Sequence, residues 1–262
     1  MCRVRKVLDG IDELIASSLG LVSSGGGKAL HQISSARRLG LNPPILDASI
    51  LVRRILARIE RNWLDARLEG PIRLASRKNW RWEKQLYISK NNTRKETLIE
   101  KAIALECDGD WINQVPTLSG VIDASSEQHC NIDLIHKVSP GEFEFIELKY
   151  DSDTPLFAAF EILKYGMVYA FSRRNATELG YDPANILLNA KRVTLIVLAP
   201  SEYYGCIGHS YRWLESALSN ALRGFGEWGF MMDFRFEHFS SRATTPRMQV
   251  EGRARLYLPE RG

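Results

Sequence analysis

The sequence predicts an α/β fold with a central mixed β-sheet, preceded by a mainly helical region. Two β-type runs within residues 131–150 flank Ser139-Pro140-Gly141, and this pattern predicts a hairpin. Arg192–Pro200 is a continuous apolar run of the kind that forms a strand buried on both faces. Between them, residues 155–173 are apolar on nearly all sides, which is typical of a helix packed against a sheet.

The composition of the 262 residues, 45% hydrophobic and 25% charged, is that of a globular protein with a sizeable core. The four cysteines show no spacing typical of a zinc site or a disulfide framework, and no signal-peptide pattern opens the chain. We therefore expect a cytoplasmic protein that does not engage a membrane.

Charge divides the chain into two predicted domains. Residues 1–90 carry 17 Lys and Arg against 8 Asp and Glu, a net charge of +9. Residues 91–262 carry 18 against 23, a net charge of −5. A basic segment beside an acidic one suits a polyanionic partner handled at a carboxylate site. Solvated helix surfaces would give the same imbalance, and both interpretations stay open.

The basic region is predicted to contain two amphipathic helices, within residues 1–22 and 46–68, separated by Pro43-Pro44. The second is rich in arginine, and cations on such a helix can bind phosphates regardless of base sequence. Basic residues then surround Trp80 and Trp82, whose rings can stack on unpaired bases or serve as core anchors. The cations that we predict to contact nucleic acid are Arg53, Arg54, Arg58, Arg61, Lys78 and Arg81.

A capping box, with Thr93 as N-cap and Glu96 three residues later, predicts a helix over residues 93–106. Glu96 and Glu100 lie four residues apart and share a face of this helix. Because Glu96 has a capping role, Glu100 is the better candidate for a functional carboxylate. The alternative for Glu100 is a side chain that faces solvent.

The remaining elements complete the predicted sheet. A strand is expected over residues 111–122, and Thr154 and Pro155 form a strong helix start before residues 155–173. An amphipathic helix is predicted over residues 210–225 and an alternating strand over 230–239. Residues 253–258 could add an edge strand.

The hairpin carries the chemistry. In its second run, Phe143, Phe145, Glu147 and Lys149 share one face, and strand pairing could bring Asp133 close to Glu147. Two neighbouring carboxylates in an apolar setting repel each other, and a divalent cation relieves this repulsion. A nearby lysine could orient a water or stabilise charge on a phosphate. A solvent-exposed hairpin is the alternative.

Asp133 followed by Glu147-Leu148-Lys149 at the end of the next strand resembles the PD-(D/E)XK nuclease superfamily, which has the restriction-endonuclease-like fold. The resemblance covers roughly residues 93–200, with Ile132 where the motif has proline. It implies that Asp133, Glu147 and the Leu148 carbonyl bind Mg²⁺ or Mn²⁺. It also implies that Lys149 positions the attacking water and that a helix glutamate, here Glu100, binds the metal or its water.

Several branches of that superfamily place a Gln and a Tyr in the following helix beside the active site. Glu161 and Tyr165 stand at that spacing, but Glu161 replaces the Gln, so we expect a structural role for it. The resemblance implies a metal-dependent nuclease acting on nucleic acid, with DNA as the first candidate and a homodimer left open. The alternatives are a non-cleaving nucleic-acid-binding module and a protein-interaction module on the same fold.

Overall fold

The computed structural model describes residues 6–21, 28–70, 73–87, 94–107, 109–122, 130–205, 211–240 and 251–255. Four helices come first: α1 (Ile11–Ser18), α2 (Lys28–His31), α3 (Ile33–Leu41) and α4 (Ala48–Glu69). Then follow α5 (Lys95–Glu106), β1 (Trp111–Pro116), β2 (Asn131–Ser139), β3 (Glu142–Leu148), α6 (Pro155–Arg174) and α7 (Ala176–Leu179). The last elements are β4 (Arg192–Pro200), α8 (Ser201–Tyr204), α9 (Arg212–Leu222), a 3-10 helix (Arg223–Trp228), β5 (Met231–Phe239) and β6 (Ala254–Arg255).

The described strands form one open, mixed sheet in the order β1-β2-β3-β4-β5-β6, flanked by helices, so the predicted α/β class is confirmed. β1, β2 and β3 pair antiparallel, β3, β4 and β5 run parallel, and β6 pairs antiparallel with β5. The hairpin turns at Pro140 and Gly141 as predicted, and Gly141 adopts a left-handed φ of 81° that suits glycine.

Two predicted ends lie more than two residues from those in the structure. β1 ends at Pro116 rather than at residue 122, because residues 117–122 form bends and a turn. α9 ends at Leu222, and the chain tightens into the 3-10 helix. β6 is described only over Ala254–Arg255, and residues 256–258 of the expected edge strand lie outside the described residues.

The two faces of the sheet bury different clusters. Phe143 and Phe145 of β3 belong to the main core, which α6 covers, whereas Ile146 and Leu148 pack with Ile103 of α5 on the other face. α6 approaches the sheet closely at Gly166, where a Cβ would lie 2.5 Å from Leu195 Cδ1. The period-two alternation therefore decides which side chains of β3 face α6.

The N-terminal helices form a further layer over α6. α4 packs against α6 and α9, and its buried side chains join the same apolar cluster as the main face of the sheet. Thr154 caps α6 as predicted by accepting from Phe157 N, and its hydroxyl donates to the Leu30 carbonyl at 2.7 Å. The main core thus draws on residues from both sides of residue 90.

Trp80 and Trp82 are core anchors. Trp80 is fully buried at a left-handed φ of 58° and packs against Phe145 and Tyr169. Trp82 is partly buried against Phe143. The interpretation of Trp80 as a base-stacking residue is therefore wrong, because its ring has no surface open to a ligand. Of the described helices, none combines the length and apolar character needed to cross a membrane.

Candidate active site

The hairpin register brings Asp133 and Glu147 together. β2 and β3 pair Leu134 with Ile146, so the next residues along the strands, Asp133 and Glu147, lie opposite each other on the face that α6 covers. Asp133 Oδ2 accepts a hydrogen bond from Leu148 N at 2.9 Å. The strand register thus places these two carboxylates side by side, as the sequence predicts.

Lys149 sits between two carboxylates just beyond β3. Its Nζ lies 2.9 Å from Glu147 Oε1 and 2.9 Å from Glu161 Oε2, with Asp153 Oδ2 at 3.8 Å. The Lys149 side chain is only 9% exposed, and its backbone N donates to the Leu198 carbonyl. α6 therefore supplies a carboxylate to this cluster, and the ion pair of Glu161 with Lys149 is compatible with the structural role that we expect for Glu161.

Glu100 is buried, with 2% of its surface exposed, so the solvent-facing alternative is wrong. Its Oε1 accepts from Asn113 Nδ2 at 2.6 Å and its Oε2 accepts from Gln114 Nε2 at 2.7 Å. Gln114 holds a left-handed φ of 48° in β1, a conformation that non-glycine residues rarely adopt and that is common at functional sites. Gln114 Oε1 in turn accepts from Asn131 Nδ2.

Glu96 supports the loop that follows β3. Its Oε1 accepts from Tyr150 N at 3.1 Å and from Ser152 Oγ at 2.5 Å. Thr93, the other half of the predicted capping box, lies outside the described residues, and α5 begins after Arg94 without a side-chain cap. Glu96 thus binds a loop more than fifty residues away in the sequence.

Burial shifts the pKa values of the carboxyl groups upward. Burial, reinforced by repulsion from Asp133, raises the pKa of Glu100 to about 7 although Asn113 and Gln114 donate to it. Burial raises the pKa of Asp133 to about 6, against the attraction of Lys149. Burial and then repulsion from Asp133 raise the pKa of Glu147 well above its ordinary value. These groups carry protons more readily than carboxylates in water do.

Ion pairing, rather than burial, decides the pKa of the Lys149 ammonium. Burial lowers its pKa, but the attraction of Glu147 and Glu161 outweighs burial and raises the pKa above the ordinary value. Lys149 is therefore a fixed positive charge at neutral pH.

All of the predicted catalytic and metal-binding residues line one cleft of about 870 Å³. These residues are Glu100, Asp133, Glu147, Leu148 and Lys149. Glu96, Glu161 and Tyr165 line the same cleft, and burial raises the pKa of the Tyr165 hydroxyl. The cleft opens at the end of β3, where the carboxyl ends of parallel strands commonly form ligand sites.

The donor set fits Mg²⁺ or Mn²⁺ in its chemistry. Asp133 and Glu147 are adjacent oxygen donors with raised pKa values, and Mg²⁺ commonly binds one or two carboxylates together with waters and substrate phosphates. Within the described residues, no group of three or more His, Cys, Asp or Glu side chains converges to hold a metal ion. The reason is visible in the contacts, since amides hold Glu100 and Lys149 holds Glu147 and Glu161.

The six cations predicted to contact nucleic acid occupy two places. Four of the five arginines of α4 belong to this set and are exposed: Arg53, Arg54, Arg58 and Arg61. Three of these line a hollow that also contains Asp9, Glu13 and Asp65 and that shares no lining residue with the cleft. Lys78 and Arg81 instead line a groove that shares Gln114 and Asn131 with the cleft.

Sequence reasoning missed the supporting residues. Asn113 and Gln114 are adjacent polar residues in an otherwise apolar strand, and this interruption was a usable signal. Glu161, a charged residue in a helix that is apolar on nearly all sides, was singled out from the sequence, but its contact with Lys149 was not predicted. His31 Nδ1 lies 2.6 Å from Asp153 Oδ1. The two residues are 122 positions apart in the sequence, so no local pattern could predict this contact.

Comparison of the chain with protein-family models, with curated proteins and with solved structures found no match.

Proposed function

We propose that this chain is a metal-dependent nuclease that hydrolyses phosphodiester bonds of nucleic acid, with DNA the first candidate. The observation that carries the proposal is the convergence of Glu100, Asp133, Glu147 and Lys149 on one cleft. These residue types match the motif of the PD-(D/E)XK nucleases, and we propose a restriction-endonuclease-like core over residues 95–200. The order of helix, antiparallel strands, helix and parallel strand supports that core.

Asp133 and Glu147 would hold the metal, and the Leu148 carbonyl would add a third oxygen. When bound, the metal supplies Lewis-acid polarisation of the phosphate and a water of lowered pKa. Lys149 stays protonated, so it does not act as a base. Its ammonium instead orients the attacking water and offsets charge that develops on the phosphate.

Glu100 is suited to accept a proton. A general base works best when its pKa lies near the operating pH, and burial sets the pKa of Glu100 at about 7. The amides of Asn113 and Gln114 fix the direction of its carboxylate, which lines the cleft beside Asp133. Glu161 would position Lys149 through their 2.9 Å contact and thus act on the reaction only through that lysine.

The test uses single- and double-stranded DNA and RNA, with Mg²⁺ or Mn²⁺ and with EDTA. Asp133→Asn and Glu147→Gln should each lower cleavage at least about 100-fold, because even residues that only support metal ligands contribute 10–100-fold. Glu106→Gln, an exposed residue at the end of α5, is the matched control and should cleave at the wild-type rate. Cleavage that persists in EDTA or in Asp133→Asn would exclude the metal mechanism.

A non-cleaving nucleic-acid-binding module is the second candidate. It is favoured by the closed contacts of Lys149, which already neutralise Glu147 and Glu161. Metal-independent binding of nucleic acid, with no cleavage of any of the four substrates in Mg²⁺ or Mn²⁺, would support this candidate over the nuclease.

A further inference from the structure

A second hollow, of about 590 Å³, adjoins the catalytic cleft. Four tyrosines line it: Tyr150, Tyr203, Tyr204 and Tyr211. It lies where β4 ends at Pro200 and α6 begins at Pro155, with Arg37 of α3 at another wall. Its volume is within the range of sites that bind small organic groups, and aromatic walls are typical of such sites.

The tyrosine hollow is continuous with the cleft. Asp151 and Asp153 line both spaces. On the opposite side, Gln114 and Asn131 line both the cleft and the groove of Lys78 and Arg81, as described above. Three spaces therefore follow one another: a basic groove, the carboxylate cleft and the tyrosine hollow.

The basic groove and the tyrosine hollow suit different parts of a nucleic acid strand. Cations attract phosphates, so the exposed Lys78 suits the backbone, and so does Arg81, which is half-buried and pairs with Glu83 in the same groove. Asp151, Asp153 and Glu202 line the tyrosine hollow. Asp151 pairs with Lys95 and Asp153 with His31, yet carboxylate oxygens disfavour a phosphate and can accept further hydrogen bonds from amino and imino groups. A planar, uncharged group that carries N–H donors fits this wall, and nucleobases are such groups.

We propose that the tyrosine hollow binds the nucleobase next to the scissile phosphate, while Lys78 and Arg81 bind the backbone on the other side of the cleft. This inference rests on the proposed nuclease function and specifies its substrate. A base inside a duplex stack cannot enter a protein pocket unless it unpairs and swings out. The substrate is therefore a single strand or an unpaired end, held by stacking and by charge.

Tyr203 is the residue that tests the proposal. Its ring is partly exposed and lines the hollow, and it packs edge-on against Tyr204 with the ring centroids 5.3 Å apart. Its hydroxyl is buried and makes no hydrogen bond to any residue that the structure describes. Tyr203→Phe thus keeps the stacking surface and removes no described bond, whereas Tyr203→Ala removes the ring.

The experiment measures binding in EDTA, where cleavage does not interfere. The probes are a short single-stranded oligodeoxynucleotide and a strand of equal length made of abasic deoxyribose phosphates, so that the phosphate charge is matched. The wild type should bind the normal strand about tenfold more tightly than the abasic strand, since stacking on an aromatic ring contributes on that order. Tyr203→Ala should lose most of this preference and Tyr203→Phe should keep it.

Two controls separate the effects of charge and folding. Lys78→Ala should weaken both strands by the same factor and reduce the salt dependence, because it acts on phosphates. Tyr169→Phe makes the same change in a buried tyrosine, whose hydroxyl donates to the Leu187 carbonyl outside these spaces. It should lower the melting temperature without changing the preference for the normal strand.

Equal affinity of the wild type for normal and abasic strands would overturn the base-binding hollow. Metal-dependent cleavage of blunt duplex and single strand at equal rates would also overturn the base-binding hollow, but it would support the proposed nuclease activity. If binding of the normal strand depends on the Tyr203 ring but no cleavage occurs in Mg²⁺ or Mn²⁺, the base-binding role of the hollow would be supported and the nuclease activity excluded.

Discussion

Replacing Glu100 by Gln is expected to remove a large pH dependence of the stability of the metal-free protein. The pKa of Glu100 is about 7 in the folded protein, against an ordinary value of 4.5. A group whose pKa rises on folding stabilises the protein fully below the unfolded pKa, and this contribution is lost as the pH rises through the folded pKa. The wild type should therefore become less stable between pH 5 and pH 8.

The magnitude follows from the two pKa values. The difference between 4.5 and about 7 corresponds to about 3 kcal/mol, most of which is lost between pH 5 and pH 8. For a chain of this size that loss lowers the melting temperature by roughly 5–10 °C. A neutral Gln cannot ionise, so the variant should lack this part of the slope and be the more stable protein at pH 8.

The amides around Glu100 can accept the replacement. Asn113 is fixed, because it exchanges two hydrogen bonds with the backbone of Gln85, so its amide continues to donate to the Gln carbonyl. Gln114 can turn its amide over and accept from the new NH₂ group. Asn131, its neighbour, can turn as well, because Asn131 Oδ1 has no hydrogen-bond partner in the part of the chain that the structure describes.

The assay is thermal and urea unfolding in EDTA at several pH values from 5 to 8. Glu106→Gln, an exposed carboxylate at the end of the same helix, is the control and should keep the wild-type slope, because the burial that raises the pKa of Glu100 does not act on an exposed side chain. A wild type that is equally stable at pH 5 and pH 8, or a Glu100→Gln variant with an unchanged slope, would refute the reasoning.

Three other changes test separate parts of the structure. Lys149→Met should abolish cleavage and destabilise the protein by about 3–5 kcal/mol, more at pH 8 than at pH 5, because it leaves buried carboxylates unpaired. Urea unfolding measures the change, and an unchanged stability would refute the stabilising role of the ion cluster. Mg²⁺ at pH 8 should raise the melting temperature of the wild type but not that of Asp133→Asn, since ligand binding stabilises only a protein that holds the ligand. An equal rise of the melting temperature in both proteins would mean that Mg²⁺ binds at a different site. Gly166→Ala should destabilise the protein by about 1–3 kcal/mol, because its Cβ would lie 2.5 Å from Leu195 Cδ1. Unfolding at fixed pH measures the change, with Ala158→Gly in the same helix for comparison. An unchanged stability of Gly166→Ala would show that α6 can shift away from the sheet.

Local patterns predicted the parts of the fold that local physics decides. The turn at Pro140 and Gly141, the Thr154 cap and the alternation along β3 each depend on neighbours within a few residues. Alternation also put Glu144 on the face opposite to Glu147. Burial there raises the pKa of Glu144, but the hydrogen bond with His136 and the charges of Arg253 and Arg235 outweigh burial and hold the pKa at about 2. The period of a strand therefore separated a structural carboxylate from a candidate functional one.

The unpredicted parts depend on contacts between distant segments. Glu96 was assigned to its own helix terminus, but its carboxylate binds backbone and hydroxyl groups 54 and 56 residues away. Trp80 was compatible with an exposed stacking role until its burial among Phe145 and Tyr169 was known. Helix propensity and periodicity say nothing about which residue of a later loop will supply a partner, and so they could not choose between these roles.

The packing of α4 on both α6 and α9 has a consequence for folding order. α4 leaves the ribosome well before α9, and more than 140 residues separate the two helices in the sequence. During that interval its apolar stripe, which includes Ile55 and Ile59, has no partner from α9. A segment in that state is exposed to aggregation and to chaperone binding. The arginines on the outer face of α4, whatever they bind in the finished protein, keep the waiting helix charged and thereby oppose its self-association.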